Sequence, residues 1–170
     1  MTALLGLDLS CTASAAVAVP LGWDGDWRRV ATLLVGEKLH RDATDAARAM
    51  RTETIATRLV AFAVQYGASV AYVESYGFSQ HTAAHTLGEL GSVVRLALVR
   101  AGLDLQTANM GVARKLLLGK VPRPDVKVAV YSALRAAGAP FESLDVADAF
   151  VACNWGLAEL GGFCFAQAAA

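Results

Sequence analysis

The feature that most constrains this chain is a change of hydrophobic period along it. Residues 3 to 9 (ALLGLDL) and 14 to 20 (SAAVAVP) are short apolar runs joined by Ser10, Cys11, Thr12 and Ala13, the spacing of a hairpin. After a Gly/Asp turn at 24 to 26, residues 27 to 36 (WRRVATLLVG) form a third candidate strand. From Ala43 to Gly67 the period lengthens: Ala46, Met50, Ile55, Leu59, Phe62 and Ala63 fall near helical spacing, which predicts a long amphipathic helix. A β-branched strand follows at 69 to 74, a helix from about Thr82 to Ala101 and a strand at 104 to 108. Helices are expected near 110 to 118, 125 to 137 and 144 to 159. Three strands followed by alternating helix and strand specify an α/β fold with a mixed five-stranded sheet, its first three strands antiparallel and the rest parallel, flanked by helices. The chain, residues 1 to 170, reads as a single domain.

Composition excludes some classes. With 55% hydrophobic and 18% charged residues, the chain is neither disordered nor an arginine-rich polycation. No apolar stretch reaches the ~18 residues of a membrane span, and Asp8 interrupts the N-terminal run before a signal-peptide core forms. Cys11, Cys153 and Cys164 show neither a CxxC pair nor zinc-ligand spacing, which suits a reduced, cytoplasmic protein.

Fifteen basic and fifteen acidic side chains cancel in sum, but not in place. Residues 95 to 135 carry a net charge of +6, and residues 136 to 170 carry four acids and no Lys or Arg. Such a separation suggests an anionic partner held near a carboxylate site.

Four carboxylates stand out. Asp8 and Glu74 end apolar strands, where a carboxylate is costly unless a cation or donors compensate it. Asp145 and Asp148, three apart at the start of a helix, share one face. Taken singly, each has a structural alternative: Asp8 in a turn with Ser10 and Thr12, Glu74 paired with a helix arginine, Asp145 favouring a helix N-terminus. Together they form a set of hard oxygen ligands of the kind two-metal phosphoryl transfer requires.

The segments LGLDLS with Asp8, YVESYGF with Glu74, TANMGVARKLLLGK followed by Val126 and Lys127, and SLDVADAFVACNWG with Asp145 and Asp148 resemble the RuvC Holliday-junction resolvases of the ribonuclease H superfold. The likeness runs from Leu4 to Trp155. It implies a ribonuclease H-like fold and Mg²⁺-dependent, or Mn²⁺-dependent, symmetric nicking of four-way DNA junctions. The resemblance also implies paired metal ions held by Asp8, Glu74, Asp145 and Asp148, with Lys127 near the scissile phosphate. Lys115 matches a DNA-contacting lysine, and the aromatics after Glu74, Phe78 first and then Tyr76, match the region that stacks on bases at the junction centre. Arg114, Lys115, Lys120, Arg123 and Lys127 make up the expected phosphate-binding stretch. Leu9-Ser10 in place of Pro-Gly, and the two prolines within 120 to 124, look more like phage-borne members, which places the protein in bacterial or phage-infected host cytoplasm.

Symmetric cutting calls for a symmetric dimer. The helix at 82 to 101, with Gly88, Gly91, Ala84, Leu87, Val94 and Leu98, is the expected interface; packing of that helix on its own sheet is the alternative. His81 and His85 are expected at the surface or against DNA. Actin-like sugar kinases share the opening strand, Asp and Ser/Thr turn, but they duplicate the core, and no Gly-rich adenosine loop appears, so no nucleotide cofactor is expected. A non-catalytic DNA-binding module has no reason to keep four acids. A nuclease of broader branched-DNA specificity, acting on flaps or forks, shares the same acids and remains the main rival.

Overall fold

The computed structural model describes residues 2–74, 83–119 and 125–166. Its strands are β1 (Ala3–Asp8), β2 (Ser14–Pro20), β3 (Ala31–Val35), β4 (Ala68–Glu74) and β5 (Asp104–Ala108). Its helices are α1 (Asp45–Gln65), α2 (Ala83–Arg100), α3 (Met110–Leu118), α4 (Val126–Ala136) and α5 (Leu144–Glu159). One sheet runs β3-β2-β1-β4-β5, antiparallel across β3, β2 and β1 and parallel across β1, β4 and β5. This is the expected mixed sheet.

One expected element is shorter. Residues 27–29 form a 3₁₀ turn rather than the start of a strand, and β3 begins at Ala31. Asp26 accounts for the change: its side chain caps the turn at the Arg28 N–H, and the Trp27 indole donates 2.9 Å to the Ala137 carbonyl, turning the segment away from the sheet.

Helix starts follow from local side-chain chemistry. Thr44, Asn109 and Ser143 accept hydrogen bonds from the N–H groups of Ala47, Val112 and Val146, satisfying donors that a helix cannot pair within itself. In α1 the stripe Ile55, Leu59, Phe62 and Ala63 is buried, but Ala46 and Met50, expected on it, are exposed.

Alternation along the strands splits the core into two layers. Leu4, Val17 and Val19 face α3, α4 and α5; Leu5, Leu7, Ala16 and Ala18 face α1 and α2. α5 is buried along most of its length, and two glycines let it approach. A Cβ on Gly6 would strike the Ala149 carbonyl and come 2.7 Å from the Cys153 nitrogen. One on Gly156 would lie 2.5 Å from the Tyr72 ring and 2.6 Å from Leu4. Close seating of α5 on β1 and β4 brings its first turn beside the carboxyl ends of those strands. Among the described residues, no helix is long and apolar enough to cross a membrane.

Candidate active site

β1 and β4 are adjacent parallel strands, so their last residues, Asp8 and Glu74, emerge at the same end of the sheet. The first two turns of α5 supply Asp145 and Asp148 there, and α4 supplies Lys127 from its own first turn. The Lys127 ammonium lies 3.0 Å from an Asp8 carboxylate oxygen, 2.9 Å from Asp148 and 3.6 Å from Asp145. Three carboxylates from two elements distant in sequence thus surround one positive charge. Asp8 and Asp148 are buried, whereas Asp145 keeps 35% of its side-chain surface exposed.

Arg114 completes the arrangement. Its Nε and Nη2 donate to the two oxygens of Asp148 at 3.2 and 2.7 Å, a bidentate pair with side chains only 15% and 1% exposed. Asp148, deepest of the acids, is therefore held by two cations. Sequence reasoning placed Arg114 among phosphate-binding residues; in the structure its fork is engaged with Asp148. A cation on α3 gives no local sign of facing inward, because its partner lies 34 residues away.

Glu74 is half-buried and lines a cavity of about 450 Å³ together with Thr107, Ala108, Asn109, Met110, Gly111 and Arg114. Arg95 Nη2 donates 3.1 Å to the Glu74 main-chain carbonyl, fixing the strand end from α2. Sequence reasoning counted Arg95 only as part of the basic segment. Its signal was the expected pairing of Glu74 with a helix arginine, but the contact is to the backbone.

Burial raises the Asp8 carboxyl above its ordinary range, against the opposing pull of Lys127. Glu74 is raised too, by burial first and then by the Asp8 charge, with Arg114 and Lys127 working the other way. For Lys127, burial opposes the charge, but the Asp8 and Asp148 carboxylates outweigh it and push the ammonium well above the usual lysine range.

The donor chemistry fits a hard divalent ion: carboxylate oxygens only, grouped where positive charge is already held. Among the described residues, no three His, Cys, Asp or Glu side chains gather closely enough to cage an ion unaided. The acids are spaced around Lys127 and Arg114 instead.

The other expected site residues divide in two. Lys115 is exposed on α3. Tyr76, Phe78, His81, Lys120 and Arg123, with Pro122 and Pro124, lie outside the described residues, as does the side chain of His85. The three cysteines are free thiols: Cys153 is buried under β1, and Cys11 and Cys164 are partly exposed.

Comparison with solved structures finds the same architecture elsewhere. Thermus thermophilus RuvC in complex with Holliday junction substrate superposes with a TM-score of 0.66 at 17% identity, covering 95% of this chain and 97% of that one. Thermus thermophilus RuvC in a second structure gives 0.65 at 15% identity, covering 94% and 96%. No protein-family model and no curated protein sequence matches the chain. The shared property is the fold, which is RuvC-like and ribonuclease H-like over nearly the whole chain.

Proposed function

We propose that the protein is a structure-selective endodeoxyribonuclease that resolves four-way junctions by metal-dependent symmetric nicking. The observation that carries this reading is the convergence of Asp8, Asp145 and Asp148 on Lys127 at the carboxyl end of the two central parallel strands. A packing role alone gives no reason to group buried acids there, since burial without partners is costly. The neighbouring structure that holds junction DNA shares this fold over almost its full length, which supports the choice of substrate.

In this reading Asp8, Glu74, Asp145 and Asp148 hold Mg²⁺ or Mn²⁺, two ions per site. When bound, the metal supplies an activated water and stabilises the leaving 3′ oxygen. Lys127 offsets charge that builds on the attacked phosphate. Arg114 acts behind the site, holding both Asp148 oxygens so that the carboxylate keeps one orientation. Exposed Lys115, with Lys120 and Arg123, attracts the DNA backbone through salt-sensitive phosphate contacts. Phe78, or failing that Tyr76, stacks against bases at the junction centre. The departures at Leu9-Ser10 and at the prolines near 122 keep the phage-borne branch as our reading of origin.

Two-fold junctions call for two sites, and α2 supplies the surface in a corrected form. Val94 and Leu98, expected at a dimer interface, are buried against the chain's own sheet, as the alternative held. The outer stripe of α2 is Val93, Leu96 and Val99, all exposed, with open space beside Gly88. A homodimer would form through that stripe.

The test is cleavage of a synthetic four-way junction beside flap, fork and linear duplex controls, with and without Mg²⁺. Paired symmetric nicks, lost with Asp8→Asn, are expected. Equal cutting of flaps and forks would remove the junction assignment and keep the chemistry. Binding without cleavage by the wild type would overturn the nuclease reading.

A further inference from the structure

A second cavity, lined by two arginines, lies on the opposite face of the sheet. Arg51, Thr54, Ile55 and Arg58 occupy one face of α1, at i, i+3, i+4 and i+7. With Val35, Gly36 and Glu37 at the end of β3 they line a cavity of about 230 Å³. That volume is below the range of pockets that enclose drug-sized ligands, so it suits a single small group rather than a whole nucleoside.

The chemistry of the lining favours an anion. Arg51 Nη1 donates 3.3 Å to the Glu37 carbonyl, but its Nε is closed to solvent and has no acceptor. Native structures seldom leave a buried donor unpaired, so an orphaned one asks for a partner. Neither Arg51 nor Arg58 makes an ion pair among the described residues, and Glu37 is the only acid lining the cavity, leaving it a net charge of +1. Thr54 is not a competing donor, because its hydroxyl is given to the Met50 carbonyl at 2.9 Å. Guanidinium forks match phosphate oxygens in geometry as well as charge.

Position links this cavity to the acids. Val35 pairs with Ser14 and Ala15 pairs with Asp8, so the end of β3 and the end of β1 share one edge of the sheet. The Glu37 N–H donates 3.4 Å to the Cys11 carbonyl, in the turn that follows Asp8. We propose that Arg51 and Arg58 form a phosphate-group site that takes a backbone phosphate of bound DNA other than the one cleaved. The DNA source rests on the function proposed above; the anion site does not.

Two measurements on the full chain separate these. In the first, sodium phosphate is titrated against chloride at equal ionic strength while the arginine Nε–H resonances are followed, with Arg51→Lys used for assignment. The Arg51 resonance is expected to shift and saturate, and Arg58→Gln to weaken that response. An Arg51 resonance that phosphate leaves unmoved would overturn the site. In the second, junction affinity is measured in EDTA across a salt series for the wild type and for the Arg51→Gln/Arg58→Gln variant, after thermal melting shows the variant folded. Loss of one phosphate contact should make the slope of log K against log salt shallower by about 0.9. A responsive Arg51 with an unchanged slope would assign the site to free phosphate and overturn the DNA source. A wild type that binds no junction, with a responsive Arg51, would sink the nuclease reading and leave the anion site standing.

Discussion

The face of the sheet under α5 and the face under α1 and α2 are both apolar, yet they tolerate polarity differently. Under α5, glycines at 6 and 156 remove all slack, and charged groups enter only with partners: Asp148 is held by Arg114 and Lys127, and Asp8 by Lys127. Under α1 and α2 the helices bury one stripe and leave Met50, Val93, Leu96 and Val99 exposed, and Arg51 keeps an unpaired Nε. The contrast teaches where precision is needed. The tight face sets distances between acids from β1 and α5 to within about a hydrogen bond, whereas the looser face has only to cover the sheet and meet partners.

The largest expected effect tests that tightness. Gly6→Ala places a methyl group against main-chain atoms of α5, which cannot rotate aside. The loss should exceed the usual ~1–3 kcal/mol of overpacking and reach ~5 kcal/mol or more. A thermal melt within a few degrees of the wild type would show that α5 floats on β1.

Next is Asp148→Ala, which leaves Arg114 buried without its carboxylate. A loss of ~3–5 kcal/mol is expected by chemical denaturation, with Asp148→Ala/Arg114→Met recovering part of it. No recovery in the double variant would mean that the pair is not coupled.

Asp8→Asn should behave oppositely. The Asp8 carboxyl is raised in the folded protein, so its favourable contribution is present when protonated and is lost as pH rises through the folded value. The Asn variant should therefore melt slightly above the metal-free wild type at pH 7, and the two should converge as pH falls toward 4. A lower melting temperature for Asp8→Asn at neutral pH would show that the bond to Lys127 outweighs burial.

The smallest effect belongs to Asp145→Asn. With Asp145 and Lys127 both more than a third exposed and 3.6 Å apart, the change should stay within ~0.5 kcal/mol without metal, while weakening Mn²⁺ binding measured calorimetrically. A large loss of stability would make Asp145 structural.

Much of the frame was legible because it is written in local patterns. Strand and helix periods and acids at strand ends depend on residues a few positions apart. The 3₁₀ turn at Trp27–Arg29 escaped because its anchor, the Ala137 carbonyl, is 110 residues away. The inward fork of Arg114 escaped for the same reason, its partner lying 34 residues away; Lys127 was expected at the site, but its direct bond to Asp8, across 119 residues, is visible only in the fold.

The sequence alone determined the order of elements, the apolar runs of the central strands and the acids at the strand ends. Periodicity and residue type are properties of the chain before it folds. Only tertiary structure decided which cations the acids hold, which stripe of α2 stays outside and where an arginine is left without an acceptor. Those outcomes depend on packing on both faces of the sheet, between segments far apart in sequence and close in space.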